Sequence, residues 1–115
     1  MAVSVTIWHN PRCSKSRQTL ALVEERTAVN IRKYLDDAPS ADEIRAACAA
    51  LGLRPIDLMR KGEKVFKELD LSADTSDDDL IAAMAAHPIL IERPIVFANQ
   101  TARIGRPPES VLEIL

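Results

Sequence analysis

The residues with the clearest capacity for chemistry are gathered in one stretch, His9-Asn10-Pro11-Arg12-Cys13-Ser14-Lys15-Ser16-Arg17, between a strand-like run and a helix-like run. A free thiol titrates at about 8.5, and a helix N-terminus with nearby cations lowers that to roughly 3.5–7.5. Cys13 falls at such a strand-to-helix turn, and Arg12, Lys15 and Arg17 bring positive charge to it. The chemistry implied is nucleophilic attack by a thiolate. A lone cysteine is more often a small buried apolar residue, but polar, cationic neighbours favour the reactive reading.

Spacing narrows the kind of thiol chemistry. Ser16 stands where a C-x-x-C redox pair needs its second cysteine, so the turn cannot close its own disulfide. Thr19 stands where a phosphatase-type loop needs arginine. Cys13 and Cys48, with His9 and His87, do not form the ligand pairs of a zinc site, so no metal or bound cofactor is expected. What remains is a single attacking thiol whose turnover requires thiols from outside the chain.

A second candidate cluster lies near the C-terminal end. Ile95-Val96-Phe97-Ala98 and Thr101-Ala102-Arg103-Ile104 read as strands of a hairpin joined by Asn99-Gln100. The register pairs Ala98 with Thr101 and Ile95 with Ile104, and carried outward it sets Arg93 opposite Arg106. Like charges facing each other across strands are unfavourable, whereas an anion between them reverses the sign. Two guanidinium forks suit a tetrahedral oxyanion. Pro94 and Pro107 follow the two arginines and restrict their backbones.

The elements that must position these residues can be read from periodicity. Val3, Val5 and Ile7 alternate with Ala2, Ser4 and Thr6, a strand with one buried face. Leu20 and Val23 recur at helical spacing over residues 16–26, and residues 29–34 alternate again, giving a βαβ unit with a right-handed crossover. Ser40 and Glu43 form a capping box for a helix whose apolar stripe is Ile44, Ala47, Cys48 and Leu51 and whose stop is Gly52. On that stripe Cys48 reads as a packed apolar residue. Short helices are expected at residues 56–60 and 63–69, and a third after the cap Ser76, with Leu80, Ile81 and Met84 inward and Pro88 as its end. The acidic run Asp77-Asp78-Asp79 sits in that helix's first turn, where it faces the positive end of the dipole. Pro108-Glu109-Ser110 opens a last helix that buries Val111, Leu112 and Leu115. The reading is one domain over residues 1–115, an α/β fold with a helical insertion at about 40–87.

Composition excludes other function classes. A chain of 115 residues with 47% hydrophobic and 28% charged residues has enough material for one core. A net charge of −2 and 3% aromatic residues give neither an electrostatic footprint nor a stacking platform for nucleic acid. No apolar run reaches membrane length, and the N-terminus lacks the layout of a signal peptide. A cytoplasmic protein with both thiols reduced is expected.

Four separated motifs resemble the ArsC-type, glutaredoxin-coupled arsenate reductases, in the same order over essentially the whole chain: His9-Asn10-Pro11 with Cys13 and Ser16-Arg17; Leu58-Met59-Arg60-Lys61; His87-Pro88-Ile89-Leu90-Ile91-Glu92-Arg93-Pro94-Ile95-Val96; and Gly105-Arg106-Pro107-Pro108-Glu109. The resemblance implies a thioredoxin-like fold in which Cys13 attacks arsenate and Arg60, Arg93 and Arg106 hold the oxyanion. It further implies that His9 influences the thiolate, that Arg17 sets the local field, and that Pro94 is the cis-proline facing the cysteine. The implied partners are glutathione, which joins the enzyme-bound arsenic, and glutaredoxin, which accepts the mixed disulfide. Longer members of the family continue past the position of Leu115. Two other functions are compatible with this fold: glutathione-dependent reduction of another thiol substrate, and Spx-like regulatory binding to RNA polymerase. The latter is disfavoured by the missing second cysteine and by the three arginines.

Overall fold

A computed structural model describes residues 4–115, so Ala2 and Val3 of the expected first strand lie outside the described residues. The chain divides into two compact units, one running up to Asp37 and resuming at Arg93–Leu115, the other comprising Ala38–Glu92.

The first unit is built on four strands, β1 (Val5–Trp8), β2 (Asn30–Arg32), β3 (Ile95–Ala98) and β4 (Thr101–Ile104), in the order β2-β1-β3-β4. β1 and β2 are parallel, joined through helix α1 (Ser14–Glu24), while β3 is antiparallel to both β1 and β4. This mixed sheet with flanking helices is the thioredoxin-like arrangement. The hairpin register is the one that the sequence requires, Ile95 with Ile104 and Ala98 with Thr101. Asn99 accommodates the turn with a φ of 59°, a left-handed conformation that asparagine tolerates better than most side chains.

Alternation along β1 and β3 sends Val5, Ile7, Val96 and Ala98 into one cluster with Val23 of α1 and Val111, all buried. Each fully buried valine or isoleucine contributes about 1.5–3 kcal/mol relative to an exposed one, so this cluster is what holds α1 to the sheet. Trp8 is also buried, with its ring centre 5.0 Å from that of Phe97. Three local features go beyond or differ from the pattern read along the sequence. Helix α1 starts two residues earlier than its periodicity indicates, because polar residues open it. Ile31 is 47% exposed, because β2 is an edge strand. The last segment, Pro108–Ile114, is a 3-10 helix that buries Val111 but leaves Leu115 exposed.

The second unit contains α2 (Ala41–Leu51), α3 (Lys64–Glu68) and α4 (Asp77–Ala86). Ser40 and Glu43 form both hydrogen bonds of the capping box, and Gly52 closes α2 at a φ of 69°. Substituting such a cap by alanine costs about 1 kcal/mol. Ile44, Ala47 and Cys48 of α2 and Leu80, Ile81 and Met84 of α4 are buried. Two members of the acidic run form ion pairs as well as facing the α4 dipole: Asp77 with Arg54 at 3.3 Å and Asp78 with Arg45 at 3.1 Å. The segment expected as a helix at 56–60 is a 3-10 turn, Pro55–Leu58, after which the backbone extends. There the Arg60 N–H donates to the Leu90 carbonyl (2.7 Å) and the Glu92 N–H to that of Leu58 (2.8 Å). Among the described residues no helix is long and apolar enough to cross a membrane.

Candidate active site

The turn at the end of β1 is fixed by bonds that its own residues supply. The His9 N–H donates to the Arg32 carbonyl at 2.8 Å, prolonging the β1–β2 pairing by one residue. Asn10 then folds the chain back: its side-chain oxygen accepts from the Arg12 N–H and its carbonyl from the Cys13 N–H, both at 3.0 Å. Cys13 is the N-cap of α1, extended at φ −97° and ψ 124°, and its carbonyl accepts from the Arg17 N–H at 3.0 Å. An N-cap commonly carries an oxygen that satisfies the first helical N–H groups. Here a sulfur occupies the position.

Burial of the half-exposed Cys13 is the largest influence on its thiol and favours the protonated form. It is outweighed by the Ser16 and Lys15 N–H groups at the helix start and by the charges of Arg93 and Arg106. The net result is a thiol held below its usual range. Arg106 approaches most closely, with Nη2 at 3.6 Å from Sγ. Its Nε donates to the Arg93 carbonyl at 2.8 Å, so the two arginines expected from the hairpin register do meet beside the sulfur. The regular ladder ends at Ile95 and Ile104, but the Gly105 N–H still reaches the Pro94 carbonyl at 2.9 Å. Both Arg93–Pro94 and Arg106–Pro107 are cis peptides.

His9 is buried, and its Nδ1 lies 2.7 Å from the Ser16 hydroxyl oxygen, which also accepts from the Asn10 N–H at 3.0 Å. Burial, then Lys33 and Arg17, push its pKa down, with Glu24 opposing. His9 is therefore mainly neutral near pH 7. It acts on the turn through Ser16, whose own N–H faces the thiol. Arg17 reaches back to the Pro11 carbonyl at 2.9 Å, so its guanidinium braces the turn.

Arg60 belongs to the second unit, where it is half-buried and paired with Glu63 at 2.6 Å. It lines an open cavity of about 430 Å³ together with Lys61, Gly62, Glu63 and Glu92. Glu63 is a competitor for any anion that Arg60 binds, and nothing in the sequence motif marks it.

Three further residues shape the site, and the sequence reading gave none of them a packing role there. Ser16 and Thr19 are fully buried, so the inner face of α1 begins with hydroxyls and becomes apolar only at Val23. Two hydroxyl residues at i and i+3 ahead of that valine are the available signal. Gly105 approaches α1 so closely that a β-carbon would lie 2.9 Å from both Pro94 Cγ and Thr19 Cγ2. A lone glycine at a strand end is the trace of such an approach. Among the described residues no three His, Cys, Asp or Glu side chains converge on a metal-binding point.

The sequence model of the ArsC family matches residues 8–114. The chain is 48% identical to the uncharacterized Escherichia coli protein YfgD, over 100% of this chain and 99% of that one. It is 46% identical to an arsenate reductase of Neisseria meningitidis, over 96% of this chain and 97% of that protein. Among solved structures, an arsenate reductase from Vibrio cholerae superposes with a TM-score of 0.95 at 54% identity, covering both chains completely.

Proposed function

From the premise that the chain belongs to the ArsC family, we propose that it is an arsenate reductase in which Cys13 is the nucleophile and glutathione and glutaredoxin supply the other thiols. The observation that carries this reading is the Arg106 guanidinium nitrogen 3.6 Å from a thiol held below its usual pKa at a helix start.

Arsenate carries about two negative charges near neutral pH, and a thiolate approaching it is repelled unless cations hold the oxygens. Arg93 and Arg106 supply donors beside Cys13, and Arg60 is assigned to the same oxyanion by the family motif. Removing one such donor costs about 2.7–4 kcal/mol of barrier in comparable oxyanion sites. In the first step the Cys13 sulfur bonds to arsenic and one oxygen leaves as water. Glutathione adds next, displacing a second water and forming a second sulfur–arsenic bond. The glutaredoxin thiol then attacks the glutathione sulfur, a disulfide forms, and the released electron pair takes arsenic from the +5 to the +3 state while the thiol proton passes to its oxo group. Water finally cleaves the Cys13–arsenic bond, returning the thiol and releasing arsenite. Ser16 supports the use of outside thiols, because the position that could hold an internal resolving cysteine carries a hydroxyl bonded to His9.

The test is arsenate-dependent oxidation of NADPH with glutathione, glutaredoxin and glutathione reductase present. Turnover that stops when either glutathione or glutaredoxin is omitted is the expected result. Turnover with thioredoxin alone would replace the proposed thiol donors. A folded protein that exchanges thiols with glutathione but leaves arsenate untouched would move the function to another substrate.

A further inference from the structure

The first unit holds a cavity that the arsenic chemistry does not use. It measures about 260 Å³ and is lined by Asn10, Pro11 and Arg12 of the cysteine turn and by Lys33, Leu35 and Asp36 after β2, with His9 at its wall. Its floor is firm. The His9–Arg32 backbone bond ties the turn to the end of β2, and Asp36 and Asp37 donate backbone N–H bonds to the Lys33 carbonyl at 3.0 and 2.9 Å.

The charged groups around it form a particular set. Arg12 and Lys33 present two cations and Asp36 one carboxylate, all on exposed side chains. Lys33 is close enough to the buried imidazole to act on its charge. Among the described residues none of the three side chains forms an ion pair, whereas Arg32, immediately before Lys33, pairs with Asp37 at 3.4 Å. Two cations facing one carboxylate suit an α-amino acid head group, with its carboxylate shared between the cations and its ammonium on the carboxylate. The γ-glutamyl end of glutathione is such a head group, with a carboxylate and an ammonium on the same carbon.

We propose that this cavity is the docking site for glutathione, holding its γ-glutamyl end between Arg12, Lys33 and Asp36. The assignment rests on the proposed use of glutathione as the second thiol. Asn10, Pro11 and Arg12 of its wall belong to the same turn as Cys13, whose N–H donates to the Asn10 carbonyl at 3.0 Å, so a tripeptide seated here is docked against the turn that carries the nucleophile. The apolar Leu35, 39% exposed, lies under the aliphatic part of the γ-glutamyl chain. Charge-assisted hydrogen bonds to carboxylate and ammonium give orientation as well as affinity. The family's arginines hold the oxyanion, and this second charged group holds its reductant.

S-methylglutathione separates docking from chemistry, because it cannot react with arsenic. Titrated into the full chain and followed by amide chemical shifts, it is expected to perturb Asn10, Arg12 and residues 33–36. Lys33→Glu and Asp36→Lys, both exposed and outside the proposed arsenate machinery, should each weaken its binding about tenfold. In the coupled assay they should raise the KM for glutathione by a similar factor while leaving the KM for arsenate unchanged. S-methylated cysteinylglycine, which lacks the γ-glutamyl end, should not perturb the cavity. Shifts confined to other surfaces, or equal binding by wild type and both variants, would overturn the proposal. Shifts in the cavity without arsenate turnover would uphold it while removing arsenate as the substrate.

Discussion

The two cysteines of this chain have opposite environments. Cys13 caps an 11-residue helix, half-exposed, with backbone N–H groups at its sulfur, the Arg106 guanidinium 3.6 Å away and the charge of Arg93 acting on it. Cys48 lies in the middle of α2 on a buried apolar stripe, where burial and then the charge of Asp77 push its thiol up. Burial acts on both sulfurs in the same direction, so it does not distinguish them. The difference lies in what fills the rest of the surroundings: donors and cations at a helix start, hydrocarbon and a carboxylate in a helix interior. Reactivity therefore follows from the place of the residue in the fold, and each side of the comparison can be broken separately.

The largest effect is expected from Cys13→Ser, which should reduce arsenate turnover to background in the coupled assay while the circular dichroism spectrum stays that of the wild type. Arg106→Ala comes next, with a loss in kcat/KM of about 100-fold or more, the scale of losing one oxyanion donor. Glu63→Gln should act in the other direction. Freed from its 2.6 Å partner, Arg60 would bind the anion better, and the KM for arsenate should fall by about threefold to fivefold, the worth of a partly exposed ion pair. Cys48→Ala sharpens the other side: turnover should be retained, and the cost should appear as about 1 kcal/mol of stability in urea denaturation, from a small core cavity. A Cys48→Ala protein as inactive as Cys13→Ser would remove the distinction between the two thiols.

The features legible in the sequence were those set by neighbours along the chain. Ser40 with Glu43, and Gly52 after the last apolar position, define α2 because capping bonds span only three or four residues. The register of β3 and β4 followed from a two-residue turn, and with it the meeting of Arg93 and Arg106. Long-range contacts left weaker traces. The bond from Ser16 to His9 joins residues seven apart across a turn, and the fit of Gly105 against Thr19 spans most of the chain. Alternation indicated that residues 29–34 form a strand but not that it lies at a sheet edge, which is why Ile31 is half exposed. The 3-10 path of Pro108–Ile114 escapes periodicity as well, since three and 3.6 residues per turn differ little over seven positions. The proposed substrate role of Arg60 rests on motif resemblance alone, and its pairing with Glu63 left no trace in the motif.

The central claim is that the surroundings of Cys13 make it the thiolate that meets an arginine-held oxyanion. Its most direct test is the pH dependence of iodoacetamide labelling at each cysteine, followed by mass spectrometry, for the wild type and Arg106→Ala, with and without arsenate. A depressed pKa means that the reactive thiolate persists to lower pH, so labelling of Cys13 should rise through a midpoint below that of an ordinary thiol while Cys48 stays unlabelled until the protein unfolds. Arg106→Ala removes a stabilising positive charge and should move the Cys13 midpoint upward, and arsenate should protect Cys13 in the wild type far more than in this variant. A Cys13 midpoint at or above that of a free cysteine, unmoved by Arg106→Ala and unprotected by arsenate, would contradict the account.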